Sequence, residues 1–239
     1  MERGRSRKAR SGCLGRIFGF VLFLIVAAVG VIAAVKYMPS RERADLDALY
    51  AAGGSDRVAL YLNYERQEES GVYVDGQTYL PAAWVDANLN ERFYWDANEE
   101  ILVYALPEEI VKSDETTVDE DGKKILYRDG DAVYLSLALI QKYTDVRLQA
   151  YDGEAQKRVF VENNWDPVTV ADAAWSAKIR LRGGLKSPIV TEIKRGGTVT
   201  VLEQYDNWAR VMTPDGHIGY MYKWKMKNLH EETLKSDFT

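Results

Sequence analysis

From Ile179 to Met221 the chain reads IRLRGGLKSPIVTEIKRGGTVTVLEQYDNWARVMTPDGHIGYM. Short β-prone runs, KIRLR, PIVTEI, TVTVLEQY, WARVMTP and HIGYMY, follow one another at close spacing. Gly183-Gly184, Arg195-Gly196-Gly197 and Pro214-Asp215-Gly216 separate them as turns. Five short strands in so little chain predict a small barrel or rolled sheet over residues 177–229. Trp208 precedes an alternating Ala209-Arg210-Val211 and reads as core, and Gly219 and Tyr220 read as strand packing.

Upstream, residues 57–162 hold a grammar used twice. GVYVDGQTYLPAAWVDANL followed by FYWDANEEILVYAL aligns with KILYRDGDAVYLSLALIQKY followed by VRLQAYDGEAQKRVFVE. Asp75-Gly76 matches Asp129-Gly130, Tyr79-Leu80 matches Tyr134-Leu135, and Asp96 matches Asp152, at offsets of 54, 55 and 56 residues. Each copy predicts a hairpin turning on Asp-Gly, a helix entered at Pro81 or capped by Ser136, and a closing hairpin. The alternation in ILVY and RVFVE suits half-buried strands. The fold class is therefore α+β: two β-β-α-β-β units before an all-β module. Between the copies, EEIVKSDETTVDEDGKK reads as a solvated acidic loop. A calcium loop with Gly122 sixth would put Thr117 first and Arg128 twelfth, where Asp and Glu are needed. Residues 163–176 (NNWDPVTVADAAWS) read as a linker that packs through Trp165 and Trp175, and residues 230–239 as a polar tail.

The N-terminal end sets the compartment. Ile17 to Val35 is uncharged, a helix of about 28 Å against a hydrocarbon core of about 30 Å. The basic segment 1–16 carries Arg3, Arg5, Arg7, Lys8, Arg10 and Arg16 against Glu2 alone, placing it in the cytoplasm and the rest outside the cell. The apolar run is longer than a signal-peptide core and lacks a good small-x-small site, so an uncleaved single-pass anchor is favoured over a cleaved leader. The single cysteine, Cys13, precedes the run and cannot be a lipoprotein cysteine. Residues 41–52 (RERADLDALYAA) read as a short helix continuing from the membrane and stopped by Gly53-Gly54. Charge then splits the outer part. Residues 41–177 carry 13 basic and 28 acidic side chains, net −15, and residues 178–227 carry 10 and 4, net +6. Such asymmetry implies different partners, or one half docking on the other.

The tandem units, in VDGQTYLP with FYWDANEEILVY and RDGDAVYLS with YDGEAQKRVFV, resemble the stalk-type domain of copper amine oxidase N-termini. The resemblance implies no copper chemistry, since that belongs to a catalytic domain not seen here. The C-terminal run, with its basic first strand, Lys194-Arg195-Gly196-Gly197 before TVTVL, and Trp208 ahead of Asp215-Gly216 and Gly219-Tyr220, resembles bacterial SH3-like (SH3b) domains. That resemblance implies cell-wall or peptide binding. For this module Tyr205, Tyr222 and Trp224 are the candidates for an aromatic groove, with Lys223, Lys225, Arg180 and Arg182 as its cations. An anchor, stalk units and SH3-like module in this order also resemble the non-catalytic half of membrane-anchored family-18 glycoside hydrolases of Gram-positive bacteria. Their D-x-x-D-x-D-x-E motif and the barrel that bears it are not in this chain, which ends at Thr239.

Enzyme chemistry has little to stand on. The histidines are His217, after a turn, and His230, in the tail, and no Ser or Cys stands beside either as a nucleophile pair. No metal-ligand spacing and no phosphate-binding glycine loop occurs, so no metal, cofactor or catalytic residue is assigned. The expectation is a non-catalytic, extracytoplasmic protein that binds peptidoglycan or an anionic wall polymer. The alternatives are the targeting half of a truncated wall hydrolase, and a protein-protein scaffold at the membrane. Nucleic acid is excluded as a partner by location.

Overall fold

The computed structural model describes residues 12–153 and 155–233; most of the basic segment 1–16 and of the tail 230–239 lies outside them. Helix α1 (Gly12–Tyr37) comes first. Its segment Ile17–Tyr37 has a mean hydropathy of 2.9 and none of it is covered by the rest of the protein. By length and composition it can cross a membrane, as an anchor or as a signal sequence.

The expected helical continuation over 41–52 does not form as one piece. Met38 N–H donates to Ala34 O (2.8 Å) as the last bond of the helix. Pro39 then disfavours helical backbone at the residue before it. Beyond it the chain runs extended: Ser40 N donates to Leu185 O, Ile189 N to Glu42 O and Ala44 N to Ile189 O, each at 2.8 Å. Only α2 (Leu46–Tyr50) is helical, capped by Asp45, whose side chain accepts from Ala48 N at 3.0 Å.

Next come β1 (Arg57–Leu62), β2 (Glu65–Val74), β3 (Gln77–Pro81), α3 (Ala82–Asn88), β4 (Phe93–Asp96), β5 (Ile101–Ala105) and β6 (Ile110–Ser113). They are followed by β7 (Leu126–Asp129), β8 (Ala132–Ser136), α4 (Leu137–Tyr143), β9 (Arg147–Tyr151) and β10 (Arg158–Glu162). Each segment read as a copy does contain two strands, a helix and two strands, but the copies take unlike places. The main sheet runs β7-β8-β3-β2-β1-β10-β9, whereas β4-β5-β6 form a separate small sheet. The turn Asp75-Gly76 has φ of 49° and 80°, and Ser136 caps α4 by accepting from Leu139 N at 3.2 Å. The loop after β6 is exposed, and Asp119 accepts there from the backbone N–H groups of Asp121 (3.0 Å) and Lys123 (2.9 Å).

Beside the edge strand β9, β10 pairs in parallel with β1, Ala59 to Leu62 of β1 lying opposite Arg158 to Val161 of β10. RVFVE, expected to be half-buried, is buried at every position. Alternate side chains serve two cores. Val58, Leu60, Val159 and Val161 face the helices and the small sheet, while Ala59, Tyr61 and Phe160 face the other way, onto Tyr50 and Met212.

Met212 belongs to the second sheet: β11 (Val168–Ala173), β12 (Ala177–Arg180), β13 (Ile189–Ile193), β14 (Thr198–Gln204), β15 (Trp208–Met212), β16 (Ile218–Tyr222) and β17 (Met226–Glu232). Its order is β13-β12-β16-β15-β14-β11-β17, with β13 and β17 as edges. All five sequence-read strands have a counterpart. The segment 163–176 carries β11, which pairs with both β14 and β17, and β17 extends into the segment read as a polar tail. Trp175 is exposed (55%), with the Arg195 guanidinium 5.4 Å from its ring, instead of packing as expected; Trp165 is half-buried.

The two sheets are docked through a shared apolar cluster, in which Met212, Leu202 and Ile218 of the second sheet pack with Tyr50, Tyr61 and Phe160. Phe160 stacks on Tyr61 (centroids 4.6 Å apart) and meets Tyr151 edge-on (5.8 Å). Arg158, fully buried, lies 4.7 Å from the Tyr50 ring and 5.6 Å from that of Tyr151, and donates to Gln156 O (2.7 Å) and Asp215 O (2.8 Å). Gly216 adopts φ +71°, and a Cβ there would fall 2.6 Å from Tyr151, so the 213–217 turn requires glycine twice over. Burial raises the Tyr50 hydroxyl to about 12, and it accepts from Ile218 N at 3.2 Å. Asp215 lies 3.0 Å from His217 Nδ1 and accepts from the Thr213 hydroxyl, and these neighbours hold it well below the usual carboxylate range.

Phe160→Ala should lower unfolding stability by about 3–5 kcal/mol, read by chemical denaturation of the chain in detergent. Asp215 is an acid with a depressed folded-state pKa. Its contribution is complete above the unfolded value of about 3.9 and is lost as pH falls through the folded one. Asp215→Asn should therefore narrow the gap between denaturation midpoints measured at neutral and strongly acidic pH.

Candidate ligand groove

Strands β15 and β16 present two faces. Ala209, Val211 and Met221 point inward to the core with Ile179, Val199 and Val201. Trp208 and Tyr222, opposite one another in register, stand on the outer face with rings edge-to-face at 4.9 Å. A 3-10 turn, Lys223–Lys225, then swings Trp224 beside Tyr222 at 6.2 Å, 62% exposed. Behind Trp208 lies Gly183, where a Cβ would come within 3.2 Å of the indole Cγ, so the bare backbone lets the ring lie flat on that loop. With Leu185, Pro39 and Lys225 these rings line an open groove of about 600 Å³.

The sequence-read residues divide around it. Tyr222, Trp224 and Lys225 line the groove, Lys225 with Nζ donating to Ser176 O (2.9 Å) and 5.6 Å from the Trp224 ring. Arg180 also lines it but is only 3% exposed; its guanidinium donates to Ser187 O (2.5 Å) and Ser40 O (3.2 Å), so it braces the wall and offers no free charge. Burial accordingly pushes its pKa down. Arg182 is exposed but lies outside the lining, with its backbone N donating to Ser187 Oγ at 2.8 Å. Tyr205 sits 5.8 Å from Tyr220, and its hydroxyl, raised by donating to Glu203, is likewise outside. Lys223 reaches back to Tyr205 O at 3.0 Å and ties that loop. Trp208, read as core, is a groove wall that sequence reasoning assigned elsewhere; its position opposite Tyr222 and two residues from another outward side chain, Arg210, was the available signal. Gly219 does pack as expected, since a Cβ there would sit 2.7 Å from both Arg180 O and Ile179.

A polar cleft of about 310 Å³ lies between the sheets near Tyr64, but its charges are used internally: Arg210 pairs with Glu65 (2.6 Å) and Glu203 (3.2 Å), and Glu162 with Arg147 (3.2 Å). The Arg210–Glu65 pair is an ion pair bridging the two sheets, while Lys178, Lys194, Lys227 and other cations of the second sheet stay exposed. Docking of the basic module on the acidic half thus leaves most of its positive charge free.

Residues 175–226 match the family model of the bacterial SH3 domain. The chain therefore carries such a domain at its C-terminal side, and the groove lies within it apart from Pro39. No curated protein matches the chain.

Arg180→Ala should destabilise the protein by about 1–3 kcal/mol by removing a buried side chain and leaving two partly buried carbonyls without that donor. Arg182→Ala should stay within about 0.5 kcal/mol, checked by the same denaturation curves.

Proposed function

We propose that this is a non-catalytic, membrane-anchored protein that displays a bacterial SH3 domain outside the cell and binds peptidoglycan or an attached anionic polymer through the Trp208–Tyr222–Trp224 groove. One observation carries the reading: three aromatic side chains line an open groove of about 600 Å³ inside the SH3 match, flanked by Lys178 and Lys225. Flat rings suit the apolar faces of sugars and peptide side chains, and the cations suit carboxylate or phosphate. The net charge of +6 over 178–227 supports a polyanionic ligand. α1 serves as the anchor, with the basic segment 1–16 retained inside the cell. Residues 57–162 act as a stalk-type α+β platform whose strand β10, through Phe160 and Arg158, holds the module in place. The module stands beside the helix end, where Ser40 N donates to Leu185 O.

The chain in detergent should sediment with purified peptidoglycan, and more strongly when anionic polymers remain attached, with retention falling as salt rises. Trp224→Ala should weaken retention at least about tenfold, equivalent to about 1.4 kcal/mol, without moving the denaturation midpoint. Absence of retention at every salt concentration would sink the proposal.

A further inference from the structure

The SH3 domain is fastened to the end of the apolar helix. Lys186 Nζ donates to Val35 O (2.6 Å), Ser40 N donates to Leu185 O (2.8 Å), and Arg180 holds Ser40 O. Val35 is the last residue of the uncharged run. If α1 spans a bilayer, as proposed above, the loop Arg182–Ser187 therefore stands where hydrocarbon gives way to headgroups. Its composition suits that layer. Leu185 is 40% exposed at the tip, Arg182 and Lys186 flank it, and Lys36, Tyr37 and Met38 are exposed on the helix side. Trp224 shares a groove with Leu185 and Pro39. The carboxylate facing this groove is Glu192, and Arg43 pairs with it at 3.1 Å. Long cationic side chains at this depth reach the phosphate layer while their stems stay in the apolar one, and aromatic rings favour the same zone.

We propose that the loop Arg182–Ser187 is a membrane-contacting element: Leu185 enters the headgroup layer and Arg182 and Lys186 pair with anionic lipid phosphates. The contact rests on α1 being an anchor, and it holds the mouth of the ligand groove at the bilayer surface. The groove then meets its polymer in the first layer above the membrane and not farther out in the wall.

The test uses the full chain with Cys13→Ser, which removes the single native cysteine, and Leu185→Cys carrying a nitroxide. It is reconstituted in discs of phosphatidylcholine, with or without phosphatidylglycerol. With phosphatidylglycerol, the label should be several-fold more accessible to oxygen than to a polar nickel chelate. Arg182→Glu should return it towards water while leaving the denaturation midpoint unchanged, since Arg182 is held through its backbone. A label equally open to the chelate in both kinds of disc, or unmoved by the charge reversal, would overturn the proposal while the anchor stands. Loss of the chain from liposomes in an alkaline wash would overturn the anchor reading and the proposal with it.

Discussion

The parallel pairing of β1 with β10 is the constraint from which the rest follows. It joins Ala59 to Arg158 across almost a hundred residues, a long-range closure that must be offset by contacts on both faces of the pair. Those contacts are the two cores. Val159 and Val161 complete the side covered by α3, α4 and the small sheet, and Phe160 completes the side covered by Tyr50 and Met212. A strand buried on both faces cannot be polar on either, so RVFVE admits charge only at its ends. There Arg158 is stabilised by Tyr50, Tyr151 and two carbonyls, and Glu162 by Arg147. Isolated, such charges would be costly to bury. Held this way, Arg158 also reaches across to the SH3 domain through Asp215 O.

Charge has a smaller part in that docking than the −15 and +6 halves suggest. Arg158, the cation buried at the junction, comes from the acidic half, and its partner at Asp215 is a backbone carbonyl. The Arg210–Glu65 pair sits at the rim with Glu65 66% exposed, where an ion pair contributes little. Apolar burial around Phe160 and the shape demanded by Gly216 do the joining. Lys178, Lys194 and Lys227 are consequently left exposed, which is the physical basis for the polyanion reading proposed above.

Local grammar was legible in the chain and long-range pairing was not. The Asp75-Gly76 turn, the Ser136 cap and five strands between Lys178 and Tyr222 follow from short-range rules of backbone conformation and hydrogen bonding. β11 escaped because VTVADA is short and lies after Asp166-Pro167, where turn residues dominate the signal. The unlike fates of the two repeat copies escaped because sequence similarity says nothing of which neighbour a strand chooses: β10 finds β1, while β5 finds β6. At the groove, Tyr222, Trp224 and Lys225 were readable from aromatic and basic residues clustering after the last strand. Trp208 was misread because a tryptophan at a strand start looks like core until its partner across the sheet is known. Arg180 was misread for the converse reason: its carbonyl partners come from Ser187 and from Ser40, and the second is 140 residues away.

That second partner bears on how the apolar helix and the domain are joined. Ser40, Glu42 and Ala44 exchange backbone hydrogen bonds with Leu185 and Ile189, and Arg43 bridges to Ile189 in a parallel sense. The edge β13 would otherwise expose an unpaired row of N–H and C=O groups open to association with another chain. The segment leaving the helix covers it instead. The same hydrogen bonds bring Pro39 to the rim of the aromatic groove. The segment between the apolar helix and the domain is thus no flexible tether, because the residues that would flex are paired into the domain. A groove fixed in this way has one orientation relative to the helix axis, so under the function proposed above any reach has to come from the ligand.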